Sequence, residues 1–372
     1  MQLPEEFVRQ TLAAMGDERF ACFMKALDEE PPVSIRLNPM KTHVSECTVD
    51  NDPVPWCKFG LYLNQRPGYT FDPLLHAGCY YVQEAASMFI DHVIRQLVRR
   101  PVAMLDLCAA PGGKSTAALA ALPHGSTLVS NEPVRQRYQV LCENIEKWGY
   151  KNCEVTNLYP ADFRKSGRLF DLILCDVPCS GEGMFRKDPQ AIAEWSLQNV
   201  ERCWRLQRDI VSDAWQCLRP GGLLIYSTCT YNIKEDEENV RWMRDELGAE
   251  LLPVDTDAEW GITGSLLDEF DEPVYRFIPG LTRSEGLFMA VSRKPGETLV
   301  ELTYEQAIAY LRGEAIVLPD GVPDGIVTVT FMGQPLGQVK NLGSRANNLY
   351  PKPWRIKSTH IPKDYEAILR PS

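Results

Sequence analysis

Apolar positions along the 372-residue chain fall into three textures. In the first, residues 1 to 75, Phe7, Leu12, Met15, Phe20, Phe23, Met24 and Leu27 recur at helical spacing and predict an amphipathic helix. Pro31 and Pro32 end it. SIRLN at 34 to 38 predicts a short strand, and Pro53, Pro55, Pro67 and Pro73 make the remainder rich in loops. A small α+β module is expected here.

From 76 to 294 short apolar runs alternate with helical patterns, which predicts a doubly wound parallel sheet. The expected strands are VAMLDL (102 to 107), STLVSN (126 to 131), CEVTN (153 to 157), LFDLILCD (169 to 176), GLLIYSTC (222 to 229) and LFMAVSRK (287 to 294). The acidic EDEEN run at 235 to 239 opens a helix whose N-terminus favours negative charge. In the third texture, residues 295 to 372, IVTVTFMG (326 to 333) and LGQVKNLG (336 to 343) flank a Gln-Pro turn and predict a compact β-rich module.

The net charge of -11 speaks against a nucleic-acid partner until it is mapped. Residues 235 to 272 hold fourteen acids against two Arg, so the rest of the chain is close to neutral. Residues 331 to 372 carry seven Lys and Arg against two acids, a basic end of the kind that meets phosphates. Twelve cysteines without C-x-x-C pairs read as reduced thiols, and no metal site is expected. No apolar run has the length of a membrane span, and MQLPEEFVRQ is neither a secretory nor a transit signal. A cytoplasmic protein without a membrane partner is expected.

The turn after the first sheet strand, LDLCAAPGGKST, has two readings. With LILCD at 172 to 176 it resembles a P-loop NTPase, but the glycine needed five residues before Gly113 is Cys108. The other reading is a tight turn leading into a helix N-terminus, with Glu132, nineteen residues after Gly113, placed for a ribose diol. S-adenosylmethionine suits that arrangement better than a hydride carrier, because the full G-x-G-x-x-G is missing.

Cys179 in CDVPCSGEGMFRKDP and Cys229 in YSTCTYN each follow an apolar strand at the edge where the cofactor would sit. Two thiols and the carboxylate of Asp176 beside a methyl donor suit methylation at carbon 5 of a pyrimidine. A thiolate adding to carbon 6 turns that carbon into a nucleophile, a carboxyl at N3 neutralises developing charge, and a second thiol assists release.

LDLCAAPGGKST, SNEPVRQR, CDVPCSGEGMFRKDP and IYSTCTYNIKEDEENV together resemble the signatures of the NOL1/NOP2/Sun family of RNA cytosine-5 methyltransferases. SIRLNPMKT, YYVQEAASM and GQPLGQVKNLG followed by LYPKPWR are similar to its bacterial RsmF-type members, which modify 16S ribosomal RNA. The resemblance implies an α/β fold. A class I, Rossmann-like, S-adenosylmethionine-dependent methyltransferase core (76 to 294) would lie between an N-terminal RNA-binding module (1 to 75) and a C-terminal PUA-like one (295 to 372). It implies that Cys229 is the nucleophile and that Cys179 aids release. Cys108, Ala109, Ala110, Pro111, Gly112, Gly113, Lys114, Glu132, Arg137 and Asp176 would surround the cofactor, with Asp176 near the base as well. Two departures stand out: D-V-P-C where the family more often has D-A-P-C, and no acid after the third strand until Asp162. The adenine contact is therefore assigned to Asn157.

The target cytidine must be unpaired or flipped. Lys187, Arg36, Lys340, Arg345 and Arg355 are assigned to RNA contact, with Asn38, Lys352, Trp354 and Lys357 beside them, since basic and aromatic groups together grip unpaired RNA. Trp354 reads equally as a packed core ring. Ribosomal RNA is the expected partner and transfer RNA the rival. A non-catalytic RNA-binding assembly factor would have no need for both thiols.

Overall fold

The computed structural model describes residues 1 to 358; Lys363 and Arg370 of the basic end lie outside them. The chain divides after Pro295 into two compact units.

The first unit opens with α1 (Glu5–Leu27), kinked at Gly16. β1 (Val33–Leu37), β2 (Asn51–Pro53) and β3 (Gly60–Leu63) follow, then the one-turn α2 (Pro73–His76) and β4 (Tyr80–Val82). These strands form an antiparallel sheet ordered β2-β3-β1-β4, so the N-terminal fold continues past residue 75. Ile35 and Leu37 pack with Leu61 and Leu63 on one face, and strand alternation sends Ser34 and Arg36 to the other.

α3 (Phe89–Leu97) leads into the large sheet, built from β5 (Ala103–Asp106), α4 (Gly113–Ala121), β6 (Thr127–Asn131), α5 (Arg135–Trp148), β7 (Cys153–Thr156), α6 (Pro160–Ser166), β8 (Phe170–Asp176), the short α7 (Pro189–Glu194), α8 (Leu197–Cys217), β9 (Leu218–Thr228), α9 (Glu237–Leu247), β10 (Glu250–Leu251), β11 (Val274–Phe277) and β12 (Leu287–Arg293). Its order is β10-β12-β9-β8-β5-β6-β7, with β11 also on β12. β5 to β9 are parallel, whereas β10, β11 and β12 run antiparallel. The expected all-parallel sheet is thus mixed, because β11 and β12 follow each other without a crossover helix.

Alternation within the strands supplies both faces. Met104, Leu172 and Leu174 pack with α3, α4 and α5 on one side; Leu105, Ile173 and Cys175 pack with α8 and α9 on the other. β9 begins earlier than its apolar run predicts: Phe170 pairs with Leu218 and Leu172 with Leu223, so Arg219 to Gly222 bulge out around a proline that cannot donate to the ladder. The chain order reverses at β5, between β6 and β8. Ligand crevices open there, at the carboxyl ends of the strands.

The second unit carries β13 (Leu299–Glu301), α10 (Tyr304–Arg312), β14 (Gly325–Phe331), β15 (Gln334–Asn341) and β16 (Ala346–Asn348). The four strands form one sheet in that order, and Tyr310, Val327, Val329 and Val339 fill its core.

Candidate active site

Register brings the two cysteine loops together. Asp176 at the end of β8 pairs with Ser227 of β9, so Cys179 and Cys229 leave neighbouring strands side by side. Their Sγ atoms lie 3.1 Å apart, and all twelve cysteines are free. The hydrogen bond to Cys229, with burial second, raises the Cys179 pKa well above the usual thiol value. Cys179 therefore holds its proton, and the two sulfurs share one hydrogen bond.

Lys114, in the first turn of α4, donates to Asp176 Oδ2 at 2.9 Å. Burial lowers the ammonium's pKa, but the carboxylate outweighs it and the net shift is upward. Asp176 Oδ1 has no hydrogen bond among the described residues and the side chain is part-exposed, so one oxygen remains for a ligand. This pairing was not visible in the sequence, where Lys114 and Asp176 are 62 residues apart.

Between β5 and α4 the backbone folds tightly. Ala109 N–H donates to Asn131 O, and Gly112 N–H to Ala109 O at 2.7 Å. Gly112 has φ 107, which a side chain adopts only under strain, and a Cβ there would press on Leu141. Ala110 and Pro111 are joined by a cis peptide. Cys108 is buried and its pKa raised by that burial, so it is a wall of the turn. Below it, Asp106 takes a 2.6 Å bond from Ser115 on Oδ2 while Oδ1 has no partner. Burial, with Asp176 adding to it against the Ser115 bond, pushes its pKa to about 7.

Glu132 follows β6 and is 1% exposed. Its Oε1 accepts from Val134 N–H at 2.9 Å. Oε2 has no hydrogen bond, although Arg137 Nη1 stands 3.4 Å away; Arg137 Nη2 donates instead to Ala110 O at 2.7 Å. A buried carboxylate oxygen without a donor carries an unmet desolvation cost, and a ribose diol at this strand end would meet it. Asn157, beyond β7, spends both amide hydrogens on Glu132 O and Pro133 O; only its Oδ1 remains for an adenine amino group.

The residues assigned to RNA divide. Arg36 is 1% exposed and cannot reach RNA: it donates to Gln83 Oε1, Thr116 Oγ1 and the Gly113 and Thr116 carbonyls and lies over the Trp148 ring. Asn38 is equally internal, bonded to Gly78 O and Trp148 O. Both act as struts between the N-terminal sheet and the core. Lys187 is exposed, 3.8 Å from Glu285. In the second unit Lys340, Arg345, Lys352 and Lys357 are exposed, and Trp354, at 69% exposure, is no core ring. Arg355 is half-buried against Gly313 and Tyr350. The acids at 235 to 237 lead into α9 as expected and are wholly buried: Arg276 pairs with Asp236 and Glu237, and Glu235 holds Ser180 N–H and Gln207.

Residues 98–293, more than half of the chain, match the family described as 16S rRNA methyltransferase RsmB/F. The chain belongs to that family. Residues 3–85 match the N-terminal domain of 16S rRNA methyltransferase RsmF, and residues 297–356 the RsmF PUA domain. The fold is thus a class I methyltransferase core with an N-terminal module and a C-terminal PUA domain, and the resemblance carried by the four motifs is borne out. The chain is 35% identical over 282 residues to ribosomal RNA small subunit methyltransferase F of Pectobacterium atrosepticum, covering 71% of this chain and 56% of that protein. It is 33% identical over 311 residues to the protein of that name from Escherichia coli O127:H6, covering 78% and 63%. It therefore spans less than two thirds of either relative. Among solved structures, a methyltransferase homolog from Pyrococcus horikoshii superposes with a TM-score of 0.67 at 25% identity, over 78% of this chain and 95% of that one. NSun6 from the same organism, with SFG, gives 0.68 at 21%, over 78% and 98%; that likeness concerns the fold.

Proposed function

We propose that this RsmB/F-family chain is an S-adenosylmethionine-dependent RNA methyltransferase that forms 5-methylcytidine in 16S ribosomal RNA through a covalent cysteine-cytosine intermediate. The observation that carries the reading is the pair of sulfurs 3.1 Å apart, beside a carboxylate whose Oδ1 is open, at the strand ends where the unpartnered Glu132 oxygen awaits a donor. The names of the relatives support the choice of substrate.

The residues present fit the cofactor. Glu132 would take the ribose diol, the Cys108 to Gly113 backbone would line the methionine side, and Asn157 Oδ1 would take the adenine amino group, with Arg137 bracing the turn through Ala110 O. When bound, S-adenosylmethionine supplies an electrophilic methyl group. The chain's own residues do the rest. Cys229 adds as the thiolate to carbon 6 of cytosine, and as the ring electrons move to N3 that atom takes a proton through Asp176, which the Lys114 ammonium bonded to Oδ2 resupplies. After carbon 5 has gained its methyl group, its proton leaves to a base, the carbon 6 to sulfur bond breaks, and the electron pair returns to Cys229. Cys179, hydrogen-bonded to that sulfur, serves this release.

No helix among the described residues is long and apolar enough to cross a membrane, and an enzyme acting on ribosomal RNA works in the cytoplasm. Among the described residues no cluster of metal-ligating side chains occurs, and the proposed chemistry asks for none. Lys340, Arg345 and Arg355 with Trp354 are the RNA contacts proposed for the PUA domain, and Lys187 the one beside the catalytic loops. Bisulfite mapping of ribosomal and transfer RNA from a deletion strain, complemented with this chain, tests the substrate. A lost and restored 16S site is expected; a site restored in transfer RNA alone would overturn the assignment.

A further inference from the structure

The Cys179 and Cys229 loops are fastened together by a carboxylate that none of the steps above uses. Glu182 lies three residues beyond Cys179 and is 1% exposed. Its Oε2 accepts from Thr230 Oγ1 at 2.5 Å and from the backbone N–H groups of Tyr231 and Asn232 at 2.7 and 3.0 Å. Its Oε1 accepts from Asn232 Nδ2 at 3.0 Å and Trp195 Nε1 at 2.9 Å. Four of these five donors belong to the three residues after Cys229. Next to it, Gly183 N–H donates to Cys229 O at 2.7 Å. A Cβ on Gly183 would stand 2.7 Å from that same oxygen, so only glycine allows this approach.

Glu235 braces the same region but from behind, through Ser180 N–H, Asn232 Nδ2 and Gln207. Glu182 differs because it lies in the Cys179 loop itself and gathers four donors of the Cys229 loop on one carboxylate. All its partners are donors, so glutamine cannot replace it: in either orientation the amide nitrogen faces donors. Charge-assisted bonds of this kind are the strong ones, and a reacting group displaced by about 1 Å costs on the order of a hundredfold in rate.

We propose that Glu182 is a positioning residue that clasps the Cys179 loop to the Cys229 loop, keeping the Cys179 thiol on the Cys229 sulfur and so governing release of the methylated base. This rests on the two-thiol reading above. A residue that merely holds the fold would lower adduct formation and turnover together; a clasp acting on release slows turnover more than adduct formation.

The test has an arm without RNA and one with it. In the first, the full-length protein is treated with diamide, which takes up the two electrons and two protons given up as the sulfurs join, and the Cys179–Cys229 linkage is timed by peptide mass mapping. Glu182→Gln is expected to slow linkage by about tenfold or more while S-adenosylmethionine affinity stays near wild type; linkage at the wild-type rate overturns the clasp. In the second arm, Glu182→Gln incubated with RNA and cofactor is expected to accumulate a denaturation-resistant protein–RNA adduct relative to turnover. An equal fall in both overturns the role in release. Wild-type protein that forms no 5-methylcytidine refutes the function proposed above, whereas the diamide arm still reports on the clasp. Should Glu182→Gln not fold, Thr230→Val decides, since it keeps the shape and removes the hydroxyl that Glu182 accepts from, together with its bonds to Ser180 Oγ and Asn232 Nδ2; about threefold slower linkage is expected, and an unchanged rate overturns the proposal.

Discussion

Replacing Glu132 by alanine separates what this carboxylate does for the fold from what it does for the cofactor. In the free protein it makes one hydrogen bond, to Val134 N–H, and holds Oε2 without a donor in a site 1% exposed. The fold thus loses one backbone contact, about 1 kcal/mol. The cofactor loses more, because a ribose hydroxyl bonded to an ionised, buried oxygen contributes about 1.5–3 kcal/mol. With the diol free to use both oxygens, a loss of about 2–4 kcal/mol is expected, or roughly 30- to 1,000-fold in Kd. Glu132→Gln keeps an oxygen for Val134 but removes the charge, and should weaken binding by about tenfold. Isothermal titration with S-adenosylmethionine measures both, with thermal denaturation of the free variants as the control. A Kd for folded Glu132→Ala within about twofold of wild type, less than 0.5 kcal/mol, would refute the ribose assignment.

Cys229→Ala should abolish methyl transfer with cofactor affinity nearly unchanged, and retained turnover removes Cys229 as nucleophile. Cys179→Ala should trap the covalent protein–RNA adduct as a shifted band on a denaturing gel, and absence of that band in a reaction that still consumes cofactor counts against its place in release. Asp106→Asn tests the buried acid. Its pKa is raised from 3.8 to about 7, so the native state holds a proton that the unfolded chain gives up, and wild type loses stability as pH rises between about 4 and 7. The Tm of Asp106→Asn minus that of wild type should grow across this window and level off above it; a difference independent of pH contradicts the shift. Arg36→Ala should lower Tm strongly, since it leaves the buried Gln83 Oε1 without a donor, at about 1–3 kcal/mol, and removes three further bonds to Thr116 and Gly113. RNA affinity measured below the transition should stay near wild type, and a large fall there would return Arg36 to the RNA surface.

The strand ends were legible in the sequence because apolar runs closed by Asp176 and by the Ser-Thr-Cys triplet mark where a buried ladder meets a ligand edge. The turn at Gly112 and Gly113 was legible for the same reason, being short and poor in side chains. Arg36 was misread because SIRLN shows its alternation but not what covers its second face. That cover is Thr116 and Trp148, some 80 and 112 residues on, and only the tertiary fold brings them there. The acids at 235 to 237 were legible as a helix start, and α9 opens at Glu237; their burial was not, because it needs Arg276, forty residues later. Glu182 offered only a carboxylate between two glycines. Nothing local distinguishes that from a surface turn.

The first helix has a consequence for anyone who handles this protein. Phe7 lies edge-on to Phe185 and Trp195, and Phe23 to Tyr231, so this helix forms the outer jacket of the loops that carry the chemistry. Trimming the amino end to obtain a minimal catalytic fragment would strip that jacket and let water reach the indole beneath it. Such a fragment should lose the proposed reaction before it loses its fold, and the opening residues, though far from the thiols in sequence, belong in any fragment on which that reaction is tested.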